Sequence, residues 1–435
     1  MSKANPETKP KELASTYLPK VAVALTETIV PFWQRAIDAE RGGVFSCWNN
    51  AGTELASRDK FVWSQGRFAW LWSRLADLTR AGRVAGDAAA YLAQAGKTVA
   101  FLRQHAILPD GGCAFLLTED GQVKEAGAGE GPSPSIYTDC FVAMGLAEYA
   151  RVAGDREALE AAWQLGTRIE QQMAVGGVPT HPIPVPDGHE AHAVAMIWLN
   201  LTLVLHDACA ALNDPRLAVA REHTVAAAAI IFGRFMLPNG RIAELRSIGG
   251  GEDHTLLSRH LNPGHSLECL WMLLTVAKRE QRDEWVARAC KSVRFALECG
   301  WDGQHGGLFH FTDMGFPQPV GSRGTSAYEE NVRATWDTKL WWVHSEALYT
   351  TALVAQISGD AAMRAWFEKI WDYTFRTFPQ PDHAVGEWIQ IRDRKGAPLD
   401  RVVALPVKDP YHIARNLIQL FELFAPKAPV TGAKV

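Results

Sequence analysis

Apolar residues recur at helical spacing through a succession of long segments, among them Asp59 to Leu78 and Ala88 to Gln104, then Tyr137 to Ala153 and Arg156 to Met173. Ala, Leu and Val placed at i, i+3, i+4 and i+7 predict amphipathic helices, here in pairs. The pattern breaks the same way each time: a Gly-rich turn leads into a few alternating residues. Copies of this break are Gly42-Gly43-Val44-Phe45, Gly111-Gly112-Cys113-Ala114-Phe115, Gly176-Gly177-Val178, Asn239-Gly240-Arg241-Ile242, Gly306-Gly307-Leu308-Phe309 and Gly386-Glu387-Trp388. Their offset is roughly 65 residues, stretching to about 80 before the last, and a fixed period of this kind marks a repeat architecture. Six helix pairs closed in a ring predict an all-α fold, an (α/α)6 barrel of six helical hairpins with short β-hairpin turns gathered at the pocket end.

This reading makes residues 16–425 a single barrel domain, with residues 1–15 and 426–435 as loose termini. Two Pro/Gly-rich stretches, Ala126 to Ser135 and Gly315 to Thr325, are expected as loops over the pocket.

Composition narrows the partners. The 435 residues are 47% hydrophobic and 21% charged with a net charge of -4, an ordinary globular balance without the basic stripe that nucleic acid or an anionic membrane would require. The polar, Lys- and Pro-rich start is not a signal peptide, and no stretch is read as a membrane span, so a cytoplasmic protein is expected. Seven cysteines are scattered and form no C-x-x-C pair, which predicts buried thiols rather than disulfides or structural zinc.

Candidate chemistry centres on Leu261-Asn262-Pro263-Gly264-His265-Ser266-Leu267-Glu268. Pro263 and Gly264 are poor helix residues and an apolar run follows them, so His265 is expected in the first turn of a helix, with Glu268 on the same face. The chain repeats this form at Asp409-Pro410-Tyr411-His412, where a proline again precedes a histidine that opens an apolar helix. In a six-fold ring, segments of the fourth and sixth units can face one another, and two imidazoles flanking one carbon can remove a proton from one face and return one to the other. Arg67 lies in the apolar, aromatic segment Val62 to Trp70, where a guanidinium needs an acceptor or an open cavity. His344 and Glu346 are two residues apart and cannot share a helical face, so one is expected in the pocket, Glu346 by preference, with the other behind it. His189 and His192 have the spacing of a metal pair, but no further ligands complete a set.

Taken together, these segments resemble the N-acylglucosamine 2-epimerase family of (α/α)6-barrel sugar epimerases and isomerases. The resemblance is carried by Val62-Trp63-Ser64-Gln65-Gly66-Arg67, Asn262-Pro263-Gly264-His265, Lys339-Leu340-Trp341-Trp342-Val343-His344-Ser345-Glu346, Gly386-Glu387-Trp388 and Tyr411-His412-Ile413-Ala414-Arg415. It implies that His265 and His412 are the acid/base pair of a 2-epimerase that interconverts N-acylglucosamine and N-acylmannosamine through ring opening and a C2 enediolate. Arg67 would hold the C1 oxygen side and Glu268 would stand behind His265. Glu346, Trp388, Trp63, Met196 and His344 would complete the substrate site. The resemblance implies no metal and no required cofactor, and a homodimer. Some animal members bind ATP as an effector, and the chain carries no P-loop that bears on this. Tyr411 and Ala414 stand where these epimerases commonly show Phe and Pro, and Pro410 stands where Cys is often found.

Three alternatives remain open from sequence, one of them a non-catalytic sugar-binding or regulatory protein, since fold does not dictate function. An aldose-ketose isomerase would use the same pair and return the proton to C1. An inverting glycosidase would instead need two carboxylates about 6.5–9.5 Å apart, drawn from Glu268, Glu346 and Glu387, and would leave the histidines idle.

Overall fold

In the computed structural model, residues 8–250, 254–313, 315 and 317–425 are described. Twelve long helices alternate along the chain: α1 Thr8–Val23, α2 Val62–Arg80, α3 Ala88–Phe101, α4 Ile136–Ala153, α5 Arg156–Val175, α6 His192–Ala211, α7 Leu217–Ile230, α8 Pro263–Arg279, α9 Asp283–Gly300, α10 Trp341–Ser358, α11 Ala361–Thr377 and α12 Tyr411–Phe424. The even-numbered helices pack side by side as an inner ring and the odd-numbered ones cover them from outside, which is the predicted (α/α)6 barrel. One correction concerns how it closes. Residues 8–15, expected as a loose terminus, belong to α1, whose Leu13 and Tyr17 are buried and whose Tyr17 ring packs edge-on against Phe367 and Trp371 of α11. The sixth pair is therefore made by the two ends of the chain, α1 outside α12. Residues 1–7 and 426–435 lie outside the described residues.

The inner helices are apolar nearly all round because neighbours contact them on both faces. Helix α6 carries this far enough that its length and composition match a membrane-crossing segment, with a mean hydropathy of 1.5. This differs from the expectation that no stretch is long and apolar enough to span a bilayer. Its apolar residues are taken up by the ring: Leu199, Leu201, Ala208 and Cys209 are fully or almost fully buried. Close packing between α2 and α4 depends on glycine. A Cβ on Gly66 would lie 2.3 Å from the Phe141 carbonyl oxygen, and one on Gly145 would lie 2.4 Å from that of Gly66.

Each inner helix begins at the same end of the barrel, where the Gly turns also gather. Single antiparallel bridges flank five of these turns, pairing Ile37 with Val44, Ile107 with Cys113, Met236 with Ile242, Trp301 with Leu308 and Pro379 with Trp388. Short strands entering the inner helices pair with strands from later turns, as in Lys60–Phe61 with Leu116–Leu117, His189–Ala191 with Leu245–Ser247, and Lys339–Leu340 with Ile391–Arg392. This lattice is anchored by buried cations. Lys60 donates to Asp38 at 2.8 Å, Lys339 to Asp302 at 3.2 Å, and Lys408 lies 3.0 Å from Glu387.

Candidate active site

The first residues of all six inner helices surround one cavity of about 260 Å³, which is lined by Trp63, Tyr137, Ala193, His265, Trp342 and His412. In helix α8, Pro263 occupies the first turn and the Asn262 side chain caps it, accepting from the His265 backbone N–H at 3.0 Å; this fixes His265 at the mouth of the helix. Its Nδ1 lies 2.6 Å from Glu244 Oε1. Sequence reading gave that task to Glu268, one turn along the same helix. The correction has a geometric cause, since Glu244 comes from the Gly240 hairpin and meets the ring from the side, whereas Glu268 is drawn away by an ion pair with Arg415 at 2.5 Å.

Around His412 the pattern is repeated with different parts. Its Nδ1 lies 2.7 Å from Glu346 Oε1, and Glu346 also accepts from Trp271 Nε1 at 2.9 Å and from Arg415 Nη2 at 2.5 Å. With Nδ1–H given to Glu346, the lone pair on Nε2 turns to the cavity side, where Arg67 Nη2 stands 3.4 Å away. Arg67 is held by Asp409 at 3.0 Å and lies over the Phe141 ring at 4.0 Å, with Trp63 and Tyr411 rings also within 5.0 Å. It thus has both of the environments considered from sequence, a partner and a cavity.

The two imidazoles are pushed in opposite directions. Burial disfavours the charged form of His265, but the Glu244 carboxylate outweighs it and raises its pKa above the ordinary histidine value. Glu244 in turn is buried, which would raise its pKa, yet His265 and His192 hold it well below the usual carboxylate range. For His412 burial dominates and Arg67 and Arg415 add to it against the attraction of Glu268, so its pKa falls to about 3. One ring is therefore a proton donor and the other a neutral acceptor, and pairs of groups with divergent pKa values mark acid and base roles. A single indole spans them: the Trp342 ring lies 5.2 Å from that of His265 and 5.7 Å from that of His412. This approach needs Gly264, where a Cβ would come within 2.4 Å of the Trp342 ring.

Of the sequence-predicted residues, His265, His412, Arg67, Glu268, Trp63 and Met196 line the cavity. Three others do not. Glu346 faces inward but serves as the partner of His412 from behind. Trp388 is buried at 2% exposure, stacked on Phe378 outside the ring of helix ends. His344 is fully buried, accepting from Leu308 N at 2.9 Å with its Nδ1 2.7 Å from Leu340 O, and so ties the Gly307 turn to α10. Among the described residues neither expected loop supplies a lining residue; the rim includes instead Val403, Ala404, Leu405 and Val407, and Tyr328 and Asn331 of the short helix Ala327–Thr335. Residues 314 and 316 lie outside the described residues.

Sequence reasoning missed Glu244, Asp409 and His310. Asp409 opens the His412 motif with no local signal of its own role, and nothing local distinguishes Glu244, which lies 21 residues from its partner. The metal pair considered for His189 and His192 does not converge: His189 Nδ1 meets Asp187 O at 2.9 Å, whereas the buried His192 ring faces Glu244 at 3.7 Å. Glu268, Glu346 and His412 place ligand atoms within 4.8 Å of one another, but the Arg415 guanidinium already bridges both carboxylates. That bridging also disfavours a glycosidase, since the two carboxylates share one cation instead of flanking a bond, and Glu387 is taken by Lys408 and Gln390.

Comparison with known proteins agrees with this geometry. The family model for N-acylglucosamine 2-epimerase matches residues 43–415. The chain is 31% identical to the human N-acylglucosamine 2-epimerase over 95% of its length and 92% of that protein, and 30% identical to the bovine one over 95% and 93%. A cellobiose 2-epimerase from Bacillus thermoamylovorans has the same fold, with a TM-score of 0.72 at 19% identity, covering 94% of this chain and 99% of that one. On a match that spans the ring from the first Gly turn to Arg415, the chain belongs to the N-acylglucosamine 2-epimerase family.

Proposed function

We propose that this protein is a sugar 2-epimerase acting on N-acyl-D-glucosamine and N-acyl-D-mannosamine. The observation that carries the reading is the pair of imidazoles lining one cavity, each tied through Nδ1 to its own carboxylate. In the open-chain sugar the proton at C2 is acidified by the C1 carbonyl. The neutral Nε2 of His412 takes that proton, and the electron pair passes into the C1–C2 bond and onto the C1 oxygen beside Arg67. Protonated His265 then delivers a proton to the opposite face of C2, the carbonyl re-forms, and the configuration is inverted. The reverse reaction uses the same two groups with their protons exchanged. The N-acyl preference is supported by the names of the full-length relatives and by the apolar cavity wall formed by Met196, Ile197, Pro182 and Ile183. The proposal extends to a cytoplasmic homodimer that requires neither metal nor organic cofactor, with ATP tested as an effector only.

Proton NMR in D2O tests the reading, with N-acetylmannosamine and separately with mannose, each without and then with ATP. Conversion of N-acetylmannosamine to N-acetylglucosamine with deuterium at C2 is expected. Ketose from mannose, with deuterium at C1, would move the protein to the aldose-ketose isomerases.

A further inference from the structure

A third histidine lines the cavity and has no part in the proton transfers described above. His310 lies on the hairpin after Gly307, its ring 3.9 Å from that of Phe311 and edge-on to Trp342 at 6.1 Å. Its Nδ1 is 3.0 Å from Thr335 Oγ1. That hydroxyl has one hydrogen, and it is spent on the Asn331 carbonyl at 2.8 Å, so the oxygen can only accept from the ring. The proton of the neutral imidazole is therefore on Nδ1, and Nε2 is a bare acceptor. Nε2 has no hydrogen-bond partner among the described residues, and the ring faces the cavity beside His265. The ring also stays neutral, since burial, with the charge of His265 next, lowers the pKa of His310 to about 3. An acceptor that opens on the cavity and meets no donor in the protein can take its hydrogen bond from the ligand.

We infer that His310 is a specificity-determining residue whose Nε2 accepts a hydrogen bond from a hydroxyl of the bound sugar. The assignment rests on the sugar-epimerase reading for its choice of ligand. A neutral ring held by Thr335 keeps one orientation and cannot become a donor, so the position selects for a hydroxyl and against a deoxy sugar. Sites built around such a hydrogen bond reject analogues that lack the group, because the site's own polar atom is then left unpaired.

The test compares the wild-type protein with His310→Phe, which keeps the ring shape and removes the acceptor, and His310→Gln, which returns an oxygen near the Nε2 position. Two ligand sets are used: the 3-, 4- and 6-deoxy forms of N-acetylmannosamine as substrates, and the non-reacting alditol N-acetylglucosaminitol for calorimetric binding. His310→Phe is expected to raise KM and the alditol Kd about tenfold, as for one lost hydrogen bond of about 1.4 kcal/mol, with kcat within about threefold. His310→Gln should recover most of that loss. One deoxy sugar should be about tenfold poorer for the wild-type protein and no poorer than its parent for His310→Phe. Circular dichroism checks that both variants fold; if His310→Phe does not, the His310→Gln and deoxy-sugar arms still decide. Unchanged KM and Kd in His310→Phe, or equal KM for every deoxy sugar in the wild-type protein, would overturn the assignment. Binding that responds to His310 without any C2 exchange would leave the assignment standing and overturn the epimerase reading instead; a wild-type protein that neither binds nor converts these sugars would overturn both.

Discussion

At the scale of single residues, the site divides into groups that can exchange protons with a ligand and groups that hold them in place. His265→Ala or His412→Ala removes one of the two proton-transfer groups, and kcat is expected to fall about a thousandfold, within the range general acid-base catalysis supplies, while the far-ultraviolet circular dichroism spectrum stays that of the wild-type protein. Near-normal turnover in either variant would end the two-base mechanism. His344 gives the opposite outcome. It makes two buried hydrogen bonds and touches no ligand-facing atom, so His344→Ala should cost about 2–4 kcal/mol of stability, read from urea melts, with KM unchanged. The contrast shows what was not legible at this scale. His344 and His265 both sit near the start of an inner helix, and only the direction of each ring, fixed by Leu308 in one case and Glu244 in the other, separates a structural histidine from a site histidine.

At the scale of elements, the barrel brings a helix and the hairpin beside it to each station of the cavity. Helix starts were well read from sequence: the Asn262 cap and Pro263 place His265 in the first turn, as the local pattern requires. What the helices pack against was less legible. Gly66 reads as a poor helix residue, a cost of about 1 kcal/mol relative to alanine, yet it allows α2 to meet α4 backbone to backbone. Gly66→Ala should therefore destabilise by about 1–3 kcal/mol, the cost of forcing packed elements apart, in place of the gain that helix propensity predicts. Because Arg67 follows it and Phe141 lies opposite, KM should rise as well. A stabilised variant with unchanged KM would show that the contact is loose.

At the scale of the whole molecule, enclosing the histidines in a double-walled ring sets the response to acid. Burial lowers His310, His344 and His412 to about 3 and lowers His260 as well. Each is neutral in the folded protein and takes up a proton in the unfolded chain below about pH 6.5. The unfolded state then binds more protons, so stability falls as pH drops from about 6.5 toward 3. His265 runs the other way. Its raised pKa contributes stability that is present below about pH 6.5 and lost as pH rises through its folded value. Burial likewise raises Asp139 to about 6 and raises Glu387, which adds stability as pH falls, but these three groups do not offset four buried imidazoles, three of them lowered to about 3. Urea midpoints measured at pH 7 and pH 5 should show a clear decrease at pH 5, and an equal or higher midpoint at pH 5 would mean that these rings are solvated in the native state.

The repeat, the barrel and the two helix starts that carry His265 and His412 are local in origin, because periodicity, caps and Gly turns act over a few residues and are written where they act. The tertiary structure alone decided which carboxylate serves which histidine. Glu346 meets His412 across 66 residues, and Glu268 meets Arg415 across 147. These pairs form only when the ring closes, and the closure is completed by α1, whose first half, residues 8–15, reads from sequence as a loose end. The opposite tuning of the two imidazoles has the same origin: burial and the charges of Glu244, Arg67 and Arg415 act through space and have no signature in the local sequence.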